Sequence, residues 1–225
     1  MTGLSKIIST AGRVIFPSLL WNFDLKDKTI YLTFDDGPIP EITPWVLARL
    51  KEYNAKATFF CIGENISKNP SIFRQILNER HSVGNHTYNH LNGWKTPSEE
   101  YIKNVLLAEK VIKTFQSTGD VISPLNQADL NSKKELFRPP FGKITPGQIK
   151  KLEQLNYKIV MWDVISEDYD QSKKPKKCFE DVVRYSKPGS ILVFHDSVKA
   201  FRNLQKILPY VLKYYSEKGF EFKAL

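Results

Sequence analysis

Short runs of β-branched and aromatic residues alternate along this chain with longer stretches of helical period, and that alternation constrains the fold more than any other feature. A strand that is followed by a helix must return to the sheet parallel to its predecessor. Strands are expected at 28–34, 57–61, 82–85, 136–138, 158–164, 191–195 and 220–223. Helix starts are signalled by Thr43-Pro44, by Thr96-Pro97-Ser98-Glu99 and by Thr145-Pro146-Gly147-Gln148. Each joins an N-cap hydroxyl to a proline at the first helical position, and the last two add a capping-box acid or amide. About seven such strands fit either an open doubly wound sheet or a barrel. No glycine-rich phosphate loop follows the first strand, so the expectation is an α/β protein built as a distorted (β/α) barrel of about seven parallel strands. The 225 residues suit one core. Residues 1–28 are read as a helical and extended segment that packs on the barrel, and 29–225 as the barrel domain itself.

Composition narrows the function. The apolar fraction of 41% excludes a disordered chain. No run approaches the roughly 20 apolar residues that span a bilayer. The formal charge of +9 is scattered, its densest cluster being Lys173, Lys174, Lys176 and Lys177, so no nucleic-acid partner is expected. Cys61 and Cys178 have neither metal-ligand spacing nor the pattern of a disulfide framework. The first residues carry no signal-peptide pattern, and the chain as written reads as cytoplasmic. Leu4, Ile7, Ile8, Ala11, Val14 and Ile15 share one helical face, which is expected to pack on the domain; the same face would also suit peripheral contact at the inner membrane surface. The polar stretch Gln116–Lys134 reads as a long surface loop.

In a parallel α/β fold the working residues gather at the carboxyl edge of the sheet, and the polar residues of interest here all end strands. Asp35 and Asp36 close the first strand; two adjacent carboxylates losing hydration need a cation or hydrogen-bond donors. His86 and His90 are four apart, a spacing that on a helical turn lets both rings reach one ion. With one of the aspartates they make a two-histidine, one-carboxylate site that leaves positions open for water and substrate. His195 ends an apolar strand, and Arg138 ends another, where a buried guanidinium needs a carboxylate partner.

These residues resemble the polysaccharide deacetylases, metal-dependent carbohydrate esterases that remove N-acetyl or O-acetyl groups from chitin oligomers, peptidoglycan and related glycans. The likeness runs from about Thr29 to the C-terminus through Thr33–Pro38, His86–His90, Arg138–Phe141, Trp162–Tyr169 and Val193–His195. The resemblance implies that Asp36, His86 and His90 bind one divalent ion, zinc first, with cobalt, manganese or nickel able to replace it. It implies Asp35 as general base, Arg138 as its anchor, Thr87 as a brace for the loop of His90, the Phe141 N–H as an oxyanion donor and His195 as general acid.

The fourth motif departs from the family pattern, since Ile165 stands where the first of two acids is usual and Tyr169 where tryptophan is usual. If the strand continues from 158, Asp163 shares a face with Ile165. The expectation is then that Asp163 points into the barrel and supplies a carboxylate to His195 or Arg138, with Asp168 as the alternative donor. Phe141 and Val193 replace a usual tyrosine and leucine in the acetyl pocket, and Tyr88, Trp94 and Tyr169 are candidates to stack on sugar rings. The expected activity is therefore metal-dependent removal of acetyl groups, N-acetyl before O-acetyl, from an acetylated glycan. A catalytically weak glycan-binding relative is the alternative, and a two-histidine, one-carboxylate iron oxygenase a more distant one.

Overall fold

The computed structural model describes residues 12–24, 26–116 and 134–225. The expectations for residues 1–11 and for the 116–134 loop fall almost wholly outside them. Parallel strands β1 (Thr29–Asp35), β2 (Ala57–Cys61), β3 (Ser82–Asn85), β4 (Glu135–Phe137), β5 (Tyr157–Ile159), β6 (Val164–Ile165) and β7 (Ile191–His195) pair in the order β5-β4-β3-β2-β1-β7-β6. A short strand β8 (Glu221–Phe222) pairs with the beginning of β1. The sheet curls, and its two edge strands are consecutive in the chain, which gives the seven-stranded distorted barrel expected from the strand count.

Residues 19–23 lie in the seam. The Leu20 N–H donates to the Ile159 carbonyl at 2.9 Å, the Met161 N–H returns to the Leu20 carbonyl at 2.7 Å, and the Phe23 N–H reaches the Gly189 carbonyl at 2.9 Å. The single strand expected over 158–164 is thus two strands at opposite edges. At Val160–Asp163 the backbone leaves one edge, pairs in part with Leu20 and crosses to the other, a tertiary demand with no local signal.

Outside the sheet pack α1 (Ile42–Glu52), α2 (Gly63–Lys68), α3 (Pro70–Asn78), α4 (Ser98–Gln116), α5 (Pro146–Gln154), α6 (Pro175–Tyr185) and α7 (Val198–Glu217). Period two divides β1 between two environments. Ile30, Leu32 and Phe34 join the core beneath the helices, where Phe34 stacks between Phe59 and Phe194. Thr33 and Asp35 face the barrel interior, whose centre is filled by the fully buried Arg138. Thr145 and Gln148 form the expected capping box of α5. Thr43 does not cap α1, because that helix begins one residue earlier and the hydroxyl is drawn instead to Asp196. Thr96 likewise stands before α4, which starts at Ser98, and its hydroxyl donates to the Asn92 carbonyl. Among the described residues no helix is long and apolar enough to cross a membrane.

Candidate active and metal site

The carboxyl ends of β1, β3, β4 and β7 meet at one rim of the barrel. Asp35 and His195 are register partners on neighbouring strands, and Asn85, the residue before His86, is paired with Phe137, the residue before Arg138. Four strand ends therefore deliver all the strand-end residues singled out above to one place.

Arg138 organises the interior. One terminal nitrogen donates to Asp35 Oδ1 at 2.7 Å and to Thr33 Oγ1 at 2.6 Å, the other donates to the Met161 carbonyl at 3.0 Å, and the guanidinium lies 4.1 Å from the centre of the Phe60 ring. The Arg138 carbonyl faces His86 Nδ1 at 2.7 Å. That contact makes Nδ1 the donor and turns Nε2, with its lone pair, toward Asp36. Burial pushes His86 down to about 4, which keeps the ring neutral, as a metal ligand must be.

Asp36 leaves the strand. Its φ of 87° reverses the direction set by β1, so that Asp35 points to Arg138 while Asp36 points to the histidines. Asp36 Oδ1 is 3.3 Å from His90 Nε2 and 3.8 Å from His86 Nε2. The three donor atoms lie within 4.8 Å of one another, and buried Asp36 Oδ1 has no hydrogen bond. Burial opposes its charge, but the His90 contact and the nearby imidazoles outweigh burial and hold the carboxyl below its ordinary range. A buried acceptor with no donor, beside two imidazole nitrogens, fits a divalent ion that prefers nitrogen and oxygen ligands.

The two histidines are not on a helical turn. Thr87 and His90 adopt left-handed backbone, with φ of 63° and 56°, and Thr87 Oγ1 accepts the Leu91 N–H at 3.0 Å, which pins the loop. The rings come within 5.1 Å by a loop instead. Among the described residues, left-handed φ at non-glycine positions falls mainly into two groups, with Glu41 before α1 standing apart. Asn54, Arg80 and Asn156 end helices, whereas Asp36, Thr87, His90, Phe141 and Glu167 lie in the loops that build this site.

His195 Nδ1 is 2.8 Å from Asp168 Oδ1, and the His195 backbone N–H donates to Asp168 Oδ2 at 2.9 Å. Burial opposes the charged ring, but Asp168, with help from Asp36 and Asp35, raises His195 to about 9. The expected role of Asp163 is corrected here. Its carboxylate meets Arg13 and accepts from Ser190 Oγ at 2.6 Å, and it contacts neither Arg138 nor His195. The Asp163 N–H bonds to the Ile191 carbonyl, at the opposite end of β7 from His195. Four residues of strand separate the two levels by about 13 Å. The missing acid at Ile165 is thus not replaced from below; the loop residue Asp168 serves His195.

The other candidates divide. Phe141 is 59% exposed with its ring 4.5 Å from that of His90. Trp94 is 66% exposed, its indole N–H held by the Ile144 carbonyl. Tyr169 stands edge-on to His195 at 5.0 Å. Val193 is buried on the same strand face as His195, two residues deeper. Tyr88 packs against Gly63 at the start of α2 and is not brought to the histidines by any contact. Sequence reasoning assigned nothing to Asp196, although it extends the polar end of an apolar strand. Asn203, which donates to the Asp168 and Asp170 carbonyls from inside α7, left no signal at all.

Residues 23–160 match the family model described as polysaccharide deacetylase. A peptidoglycan-N-acetylglucosamine deacetylase of Bacillus cereus is 33% identical over 207 residues, 90% of this chain and 88% of its own length. A second protein of that name and organism is 35% identical over 168 residues, which are 75% of this chain but only 56% of the relative. The crystal structure of a peptidoglycan N-acetylglucosamine deacetylase bound to a naphthyl N-oxidanyl-benzamide superposes with a TM-score of 0.80 at 31% identity, covering 92% of this chain and 91% of that one.

Proposed function

Because the chain belongs to the polysaccharide deacetylase family, we propose that it is a metal-dependent hydrolase that removes acetyl groups, N-acetyl in preference to O-acetyl, from an acetylated glycan. The observation that carries this reading is the meeting, at one rim, of a carboxylate anchored by arginine, a two-histidine, one-carboxylate cluster and a histidine held by a carboxylate. Peptidoglycan is the substrate class that the names of the relatives support.

Asp36, His86 and His90 would hold the ion, zinc first. When bound, the ion supplies a Lewis acid that polarises the acyl oxygen and makes water acidic near neutral pH. Asp35 is the general base: Arg138 occupies one of its oxygens and leaves the other to take a proton from the attacking water. The Phe141 N–H, oriented by the left-handed turn, donates to the oxygen on which negative charge develops. His195, charged through Asp168, gives a proton to the departing sugar amine. The exposed rings of Phe141 and Trp94 and the half-buried Tyr169 flank this rim and offer apolar faces to sugar rings. Two proton-transfer groups suffice without a covalent intermediate.

What favours an active hydrolase over a silent glycan-binding relative is that His195 keeps a carboxylate, Asp168, despite the altered fourth motif. An iron oxygenase would leave the Asp35–Arg138 and His195–Asp168 pairs without work. The test is acetate release from acetylated chitin oligomers, peptidoglycan fragments and acetylated xylan, using metal-free and zinc-reconstituted protein. Release that depends on about one zinc per chain is expected. Zinc-loaded protein that frees no acetate from any of the three would overturn the proposal.

A further inference from the structure

His195 turns toward the rim, and the next residue, Asp196, turns away beneath the loop that follows β1. It is fully buried and is not among the groups given a role above. Its Oδ1 accepts the Gly37 N–H at 3.0 Å, and its Oδ2 receives the Thr43 hydroxyl at 2.5 Å. Thr43 Oγ1 in turn accepts the Ile39 N–H at 2.8 Å. The Asp196 N–H donates to the Asp35 carbonyl at 3.1 Å. Three backbone groups of residues 35–39 therefore end on Asp196 or on a hydroxyl that Asp196 holds. A β-carbon at Gly37 would overlap the Asp196 carboxylate, so this close approach requires glycine there.

Asp36 sits in the middle of this run with φ 87°, a conformation that costs an L-residue on the order of 1–3 kcal/mol and persists only where the surroundings enforce it. The carbonyl of Asp36 is tied on the other side by Asn65 Nδ2 at 2.7 Å. We propose that Asp196 is a positioning residue which, through Gly37 and Thr43, holds the backbone of Asp36 in its left-handed conformation and so fixes that carboxylate against His86 and His90. The inference rests on reading Asp36, His86 and His90 as a metal site, and it adds a residue that touches neither ion nor substrate.

The test is zinc affinity of the whole purified chain, measured by competition with a chromophoric chelator and read beside the thermal midpoint of the metal-free protein. Asp196→Ala is expected to weaken zinc binding on the order of 10–100-fold, the range for groups that orient metal ligands. Asp196→Asn, whose amide oxygen still accepts from Gly37 and whose NH₂ can donate to Thr43, is expected to stay within about 3-fold of the unaltered protein. If Asp196→Ala does not melt cooperatively, Thr43→Ala removes one support at the periphery and is expected to weaken binding several-fold. A folded Asp196→Ala or Thr43→Ala protein that binds zinc as tightly as the unaltered chain, even at a lower midpoint, would overturn the inference. Asp196→Asn as weak as Asp196→Ala would do so too, because it would make charge rather than geometry the cause. Failure of the unaltered chain to bind zinc would instead refute the metal site itself.

Discussion

Replacing Asp168 with asparagine separates the charge behind His195 from the shape of the loop. With Asp168 in place the imidazole titrates at about 9 against the opposing effect of burial. Without that carboxylate, burial is opposed only by the more distant Asp35 and Asp36, and the ring returns to near its ordinary value of about 6.5. The change of about 2.5 units corresponds to roughly 3.4 kcal/mol of lost preference for the charged ring. A general acid works in its protonated form, so activity falls as pH rises through this pKa. At pH 8 the protonated fraction drops from about nine-tenths to about one-thirtieth, a loss of roughly 30-fold in kcat/KM that shrinks toward pH 6. The assay is a pH profile of acetate release by the zinc-loaded Asp168→Asn protein, with zinc content checked in parallel. The alkaline limb is expected to move down by about 2.5 pH units relative to the unaltered chain. An unmoved limb, or a loss that is the same at every pH, would refute the argument that Asp168 acts by charging His195.

Arg138→Met removes the cation from the barrel interior and leaves Asp35 buried without its partner, so urea unfolding is expected to show a loss of about 3–5 kcal/mol together with activity; a loss below about 1 kcal/mol would show that the pair is not the keystone described above. Asp163→Asn is expected to lower the thermal midpoint, by about 1–3 kcal/mol in stability, because Arg13 loses its charge partner and one of the two acceptor oxygens shared by Arg13 and Ser190 becomes an NH₂ donor, while the pH profile of acetate release stays in place. His81 is buried and titrates at about 4 because burial, helped by the Lys56 charge, disfavours its charged form. Its folded pKa lies below its unfolded value, so the unfolded chain binds the extra proton. Stability from this group is full above about 6.5 and is lost between there and about 4, by roughly 3 kcal/mol in all. Urea titrations across that window should show a shallower slope for His81→Gln than for the unaltered chain.

Much of this site was legible because strand ends are legible. Apolar runs that stop at Asp35 and at His195 mark both the strand and the point where polar chemistry can begin, and β2, β3 and β7 have the bounds that the sequence pattern suggests. What stayed hidden was set by contacts remote in sequence. The spacing of His86 and His90 suits a helix as well as a loop, and only the left-handed turns at Thr87 and His90 decide between them. Thr43-Pro44 has the chemistry of an N-cap, but Asp196, about 150 residues away in sequence, takes the hydroxyl. A strand continued through 158–164 would turn Asp163 into the barrel, but that segment crosses the barrel seam, where Leu20 supplies part of the pairing. Period-two arguments hold only while a strand stays in one sheet position.

The charges of the rim explain why two adjacent, chemically identical residues stand in different surroundings and are proposed for different work. Asp35 is neutralised by Arg138 and His195 by Asp168, each as a buried pair. Asp196 is answered by the Gly37 N–H and the Thr43 hydroxyl. His86 is neutral. Asp36 is what remains: a carboxylate held in its charged form, with an oxygen that no donor reaches. A buried carboxylate oxygen that accepts no hydrogen bond is costly, and a cation that also satisfies the two imidazole nitrogens beside it removes that cost. Exchanging the two aspartates in sequence would exchange nothing, because their side chains are the same. The division of labour comes from the backbone, which keeps Asp35 in the pleat of β1 facing the arginine and turns Asp36 through a left-handed residue toward the histidines. The proposed ligand and the proposed base are thus separated by one peptide bond and by the conformation on its far side.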